Sequence, residues 1–326
     1  MTVPPGAETP VENPLAVVSR LPAVPLPAAG PEEVRGWTGF GLVILATLAW
    51  STGGVFITWI LQSSTVAPMS LAFWRVLCTF LILLASIVIV RPQLLRVARR
   101  DLLWLALLGA VAMGIFQVLW ITSVIANGLS VATVIQCNAP VIVTILAWVF
   151  WREPLTWRKW TAIALAFAGT LLIARPGSTG NIHITALGLA LSLGAAVAYA
   201  AITLFAKKLT GDYGQWTILV YAFGFAALAL LPFQIGRPLP SGVGSEALLA
   251  FIAFLLLTTI GGYALYASAL KRLQASVASI AAMSEVPFAA IWGYALLHER
   301  LDASQIVGAL VVIGGVLLLS LRPRGR

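Results

Sequence analysis

The amino-acid sequence predicts an all-α integral membrane protein with ten transmembrane helices in two inverted-topology five-helix repeats. Three observations carry that expectation. Hydrophobic residues make up 60% of the 326-residue chain and charged residues only 10%, whereas a soluble domain carries about 25% charge. So little charge cannot coat a water-facing surface of this size, and the mean hydropathy of +0.98 agrees. The apolar residues gather into runs of membrane-spanning length, and the basic residues fall almost entirely into alternate loops between them.

Residues 1–36 stand apart. They hold eight of the eighteen prolines, and proline withholds a donor and restricts the chain, so a disordered cytoplasmic tail is expected. A signal peptide is not expected. The apolar stretch Leu15–Ala29 is broken by Arg20, Pro22, Pro25 and Pro27, and no basic segment precedes it.

Beyond Trp37 the apolar runs predict spans at 37–60, 67–90, 102–123, 130–150, 156–174, 184–206, 214–235, 246–267, 275–297 and 303–321, since about 20 apolar residues cross the hydrocarbon. Only Trp151–Leu155 joins the fourth and fifth spans, which makes a tight hairpin. His298–Asp302 repeats that arrangement between the ninth and tenth.

With the N-terminus inside, the cytoplasmic segments hold sixteen of the 20 Lys and Arg residues. The outer loops hold three (Arg175, Arg237 and Arg300), and Arg75 lies within a span. This positive-inside bias predicts a multi-pass protein of the inner, cytoplasmic membrane with both termini cytoplasmic. The formal charge of +9 therefore belongs to orientation in a lipid bilayer, and no nucleic-acid partner is expected. Cys78 and Cys137 fall inside apolar runs without ligand-bearing neighbours, so neither a disulfide nor a metal site is expected.

A shift of 146 positions lays Ser130-Val131-Ala132 on Ser276-Val277-Ala278, Glu153 on Glu299, Leu155 on Leu301, Gly169 on Gly315 and Leu171-Leu172 on Leu317-Leu318. The expected repeats are 37–175 and 184–321. With five spans each, an odd number, the second must enter the membrane in the opposite sense. Secondary transporters are built this way, with the substrate site at the repeat interface near mid-membrane.

At this point the residues resemble a family. Each half ends in a Pro-bearing helix, an acidic hairpin and a helix closing on Gly: Pro140, Glu153-Pro154-Leu155 and Gly169, then Pro287, Glu299-Arg300-Leu301 and Gly315. With Trp50 in the first span and Pro68 and Arg75 in the second, the chain resembles the EamA-type transporters of the drug/metabolite transporter superfamily over about residues 37–321. The resemblance implies transport, often export, of amino acids, metabolites or drugs, without implying one substrate.

The candidate substrate-binding residues are Arg75, Trp50, Gln136, Asn138, Tyr199 and Glu285, with helix breaks at Pro140 and Pro287. Arg75 lies on the order of 13 Å inside the second span, too deep for easy snorkelling, so it must face protein or water. It reads either as an anchor for a carboxylate or as a structural tie between helices. Glu285 precedes Pro287, which frees the carbonyl of Met283; its carboxyl could carry a proton or hold a polar group, or merely stabilise the kink. Pro140 frees the carbonyl of Gln136 in the matching helix, and paired broken helices point to a binding site. The two prolines miss the 146-residue offset by one position.

Trp50, Trp74, Trp292 and Tyr199 lie deep and could line an aromatic cavity or simply pack. Trp37, Trp104, Trp148, Trp151, Trp157, Trp160 and Trp216 fall near the inner interface, and Trp59 and Trp120 near the outer one. Glu153 and Glu299, at the hairpin turns, read as helix-end caps or ion-pair members. Ala190, Gly194 and Ala198 read as a close-packing seam, and Gly261-Gly262 as a flexible point.

No Walker loop, His-Glu-x-x-His or Cys-x-x-Cys motif is present, and His183 and His298 sit in separate loops, so neither an enzyme nor a cofactor is expected. The expectation is an alternating-access secondary transporter, an exporter first, for a small-molecule substrate. Protons are open as a coupling ion and a homodimer as an assembly. An importer or facilitator, a membrane enzyme and a non-transporting scaffold stand as alternatives.

Overall fold

In water-free hydrocarbon every backbone donor and acceptor must be satisfied within the chain, which leaves helices as the economical solution for runs as apolar as these. The computed structural model describes residues 32–127, 129–174, 185–237, 244–297 and 302–320, and all the elements found there are helical. The segment 1–31, Arg175, His183, His298, Glu299, Arg300 and the C-terminal arginines lie outside the described residues.

The first helix, α1 (Glu32–Ser51), begins inside the segment expected to be tail, and α2 (Gly53–Gln62) continues it after a turn at Thr52. α3 (Pro68–Val90) starts on a proline in its first turn, after an extended Ala67, where the missing N–H costs nothing. α4 (Arg99–Ala106), a π-helical stretch (Leu107–Ile115) and α5 (Phe116–Asn127) make one rod. α6 (Leu129–Gln136) and α7 (Ala139–Trp151) follow, then α8 (Trp157–Ala174). The second half runs α9 (Ala186–Leu209), α10 (Gln215–Gln234), α11 (Ser245–Ala253), a π-helical stretch (Phe254–Gly261) and α12 (Gly262–Leu270). It ends with α13 (Ala275–Ala281), a 3-10 turn (Ala282–Ser284), α14 (Glu285–Leu297) and α15 (Ala303–Ser320).

Eight helical rods among the described residues are long and apolar enough to cross a membrane. α8 and α15 are 18 residues each. Arg158 and Lys159 in the first turn of α8 dilute its hydropathy.

Lipid tails are as apolar as leucine, so helices in a membrane associate through close packing of small residues rather than through hydrophobic burial. The core is accordingly rich in alanine, with Ala46, Ala112, Ala166, Ala222, Ala269 and Ala281 among its fully or almost fully buried members. α8 and α15 make the most extensive helix pair. A Cβ on Gly169 would lie 2.5 Å from the Gly308 carbonyl oxygen, and one on Gly315 would lie 3.0 Å from that of Ala162. On α9, Gly194 touches the Leu119 side chain and Ala198 is buried, but Ala190 is exposed. The seam runs instead through Ser192, Ala195, Ala196 and Ala200, because a helix advances about 100° per residue and these four turn toward the interior. Large side chains such as Ile89 (81% exposed) and Leu249 (68%) point outward, as a lipid-facing surface requires.

One end of the bundle collects the segments between successive long helices. The Tyr213 hydroxyl donates to Asp101 Oδ2 (2.7 Å) and accepts from the Ala98 N–H (3.1 Å), and the Tyr221 hydroxyl donates to the Leu95 carbonyl (2.7 Å). Lys208 Nζ sits 4.2 Å from the centre of the Trp104 ring. Trp37, Trp148, Trp157 and Trp160 are exposed, as expected of an interfacial belt.

Candidate functional site

The interior of the bundle is built around interruptions. α6 gives way to α7 through a turn at Cys137-Asn138, and α13 to α14 through the 3-10 turn Ala282–Ser284. Each break precedes a proline that cannot donate to the turn before it, Pro140 in α7 and Pro287 in α14. Although the prolines are one position out of register, the interruption Cys137–Asn138 falls on Met283–Ser284, within the 3-10 turn, under the 146-residue offset. The π-helical stretches Leu107–Ile115 and Phe254–Gly261 match at the same offset to within one residue. Such stretches concentrate at functional sites in helical proteins.

Around these interruptions the polar side chains converge. Arg75, the eighth residue of α3, lies about 10 Å along that helix from its start, slightly shallower than expected. Its guanidinium stands over the Phe254 ring at 5.2 Å from the centroid. Glu285 opens α14. Neither Arg75 nor Glu285 has an ion-pair or hydrogen-bond partner for its side chain among the described residues. Both lie within electrostatic range of the Tyr263 hydroxyl. Glu285 is also within range of Tyr199 and Cys137.

Trp50 packs its indole against Tyr263 (ring centroids 5.1 Å apart) and Tyr266 (5.0 Å), and its Nε1 is buried without a hydrogen-bond partner. Gly262 makes this placement feasible, since a Cβ there would lie 2.5 Å from the Trp50 ring. Tyr199 stacks at a tilt on Phe116, 5.5 Å between centroids. The Tyr266 hydroxyl pairs with Thr203 Oγ1 at 2.9 Å. A cavity of about 20 Å³, lined by Leu108, Met113, Ile218, Ala222, Tyr263 and Tyr266, adjoins the group; it has room for about one water.

Trp50, Arg75, Tyr199 and Glu285 thus belong to one constellation. Gln136 and Asn138 stand beside it. Asn138 turns its amide back onto the Ile135 carbonyl (2.7 Å), and the Gln136 side-chain oxygen is buried without a partner. The side chain at that break within range of Glu285 and Tyr199 is Cys137. Trp74 Nε1 is likewise buried and unpartnered, and Trp292 Nε1 donates to Ser51 Oγ at 3.0 Å. Sequence reasoning missed the two tyrosines that link the set, Tyr263 and Tyr266. The only signal for them was the Gly261-Gly262 pair immediately before.

The hydroxyls lash the first helix to the breaks. Thr47 Oγ1 shares a hydrogen bond with Ser284 Oγ (2.8 Å), and Thr52 Oγ1 with Thr258 Oγ1 (3.0 Å). No cluster of His, Cys, Asp and Glu able to hold a metal ion occurs among the described residues. A cation and a carboxylate without ion-pair partners among the described residues, both within range of one tyrosine, suit reversible recognition of a small polar molecule, since buried charge is tolerated where it faces water or a partner.

Comparison with known proteins agrees with this architecture. A Bacillus subtilis (strain 168) protein described as the uncharacterized transporter YwfM is 28% identical over 289 residues, covering 86% of this chain and 93% of its own. A Streptantibioticus cattleyicolor protein named "probable terminal-alkyne amino-acid exporter" is 27% identical over 285 residues, covering 87% and 94%. A solved crystal structure, 15% identical, superposes with a TM-score of 0.73 over 86% of this chain and 96% of its own, which shows a shared fold. The EamA-like transporter family matches residues 37–175 and again 186–321, and with both halves matched the chain belongs to the EamA-like transporter family.

Proposed function

We propose that the protein is a secondary carrier that exports small zwitterionic or amphiphilic metabolites, amino acids foremost, by alternating access across the cytoplasmic membrane. Ten spans in two inverted halves, with both termini cytoplasmic, form the machine, and α8 and α15 complete the count. The inverted relation is supported by the helix interruptions and π-helical stretches that recur at the 146-residue offset. The α8–α15 crossing supports it too: the offset carries Gly169 onto Gly315 and Ala162 onto Gly308, so the touching pair Gly169–Gly308 maps onto the touching pair Gly315–Ala162.

One observation carries the substrate class. Arg75 and Glu285 both lie within electrostatic range of Tyr263, and neither has an ion-pair or hydrogen-bond partner among the described residues, so the site offers a cation to a carboxylate and a carboxylate to an ammonium group. The indole of Trp50 and the tyrosine rings receive the apolar remainder. Glu285 is also the group suited to carry a coupling proton. The S. cattleyicolor relative's name points to the same class of cargo.

The test is counterflow in proteoliposomes loaded with a panel of unlabelled amino acids, read as accumulation of a labelled one. Counterflow above that of empty liposomes for at least one zwitterion, abolished in Arg75→Ala, supports the reading. A panel without counterflow from inserted, monodisperse protein removes it.

A further inference from the structure

Glu153 does more than end a hairpin. It follows Arg152, whose left-handed φ of 56° closes α7, and the turn swings the Glu153 side chain inward until the residue is only 7% exposed. Its carboxylate reaches 122 residues along the chain. It accepts from the Ala275 N–H (2.7 Å) and the Ser276 N–H (3.2 Å), and it also binds the Ser276 hydroxyl. Lys159, itself 3% exposed, stands 3.7 Å away and has no hydrogen-bond partner for its ammonium.

A second charge holds the same segment. Lys207 Nζ donates to the Leu270 and Leu273 carbonyls, both at 2.6 Å. A carboxylate on the amides and an ammonium on the carbonyls therefore clamp residues 270–276. Ala275 of this segment joins Ala139, Val143, Ala147, Ala196, Ala200 and Leu204 in a buried apolar cluster that includes residues of α7 and α9.

We propose that Glu153 is a latch that seals the face of the carrier carrying the α7–α8 hairpin, and that this face opens only when the bonds to Ala275 and Ser276 break. The inference rests on the carrier reading above. Charge-assisted hydrogen bonds in a site of low dielectric are strong, and two discrete arrangements of packed elements are what alternating access requires. A permanent structural cap would predict the same bonds but no change in accessibility when they are weakened.

The experiment uses the full chain with Cys78 and Cys137 replaced by alanine and a reporter cysteine at Ala278, a fully buried position one turn inward from the latch. Modification by a membrane-impermeant maleimide is followed in inside-out vesicles. Glu153→Gln is expected to raise the modification rate about tenfold, as loss of one charge-assisted bond would, and Ser276→Ala is expected to raise it less. Unchanged rates in both variants overturn the latch, as does an increase seen only from the opposite face. Should Glu153→Gln fail to insert, Ser276→Ala decides by the same criterion. Labelling needs no cargo, so a faster rate without any transport would leave the latch standing and remove the carrier reading alone.

Discussion

Gly169 and Gly308 meet backbone to backbone where α8 crosses α15. A Cβ on the first would lie 2.5 Å from the carbonyl oxygen of the second, and a Cβ on the second 2.6 Å from that of the first. Backbone cannot give way as a side-chain tip can. Gly169→Ala is therefore expected to force the helices apart and lower stability by about 1–3 kcal/mol, and Gly169→Leu by more. Thermal unfolding in detergent checks this; an unchanged midpoint for Gly169→Leu would contradict the crossing.

Arg75→Ala and Glu285→Gln should both yield inserted protein that no longer moves its solute. Glu285→Gln keeps size and hydrogen bonding while removing the titratable proton. If Glu285 carries a coupling proton, its variant still binds the solute but no longer transports it in response to a pH gradient. Binding by Arg75→Ala should fall most for carboxylate-bearing solutes. Normal transport by both variants in stable protein would take these residues out of the site.

Tyr263→Phe keeps the ring against Trp50 and Phe223 and deletes the hydroxyl that lies within electrostatic range of both charged groups. A hydrogen bond from that hydroxyl to the bound solute would be worth about 1 kcal/mol, so transport efficiency should fall roughly five- to tenfold with little change in thermal stability.

Arg152 holds a left-handed conformation (φ 56°, ψ 31°) that costs an L-residue about 1–2 kcal/mol relative to glycine. Arg152→Gly should preserve the hairpin and raise the unfolding midpoint in detergent by a few degrees. A lower midpoint would mean that the arginine side chain contributes more than its backbone strain removes.

Reporter fusions at the C-terminus should give a cytoplasmic signal. The sixteen-to-three distribution of basic residues sets that sign, and the segments at 95–101, 207–213 and 270–276 that gather with Glu153 at one end of the bundle agree with it. An external signal would sink the ten-span topology.

What the sequence by itself determined is whatever depends on neighbours along the chain. The lengths of the apolar runs, the breaks ahead of Pro140 and Pro287 and the 146-residue offset are local properties, and backbone satisfaction in lipid turns them into helices with few alternatives. Arg75, Glu285 and Trp50 stand out in the sequence because a charge or an indole deep in an apolar run is conspicuous. Which groups they meet was decided only by the tertiary structure. Gln136, Cys137 and Asn138 point in three directions about 100° apart, and nothing local marks Cys137 as the one within range of Glu285. α14 is apolar nearly all round, so its sequence does not say which face turns inward. Tyr263 comes within range of the charged pair and Tyr266 packs on Trp50, and Glu153 reaches Ser276, through helix crossings set by small residues such as Gly169 and Gly262. The rotation and depth of those crossings come from close packing between distant segments, which no window of sequence contains.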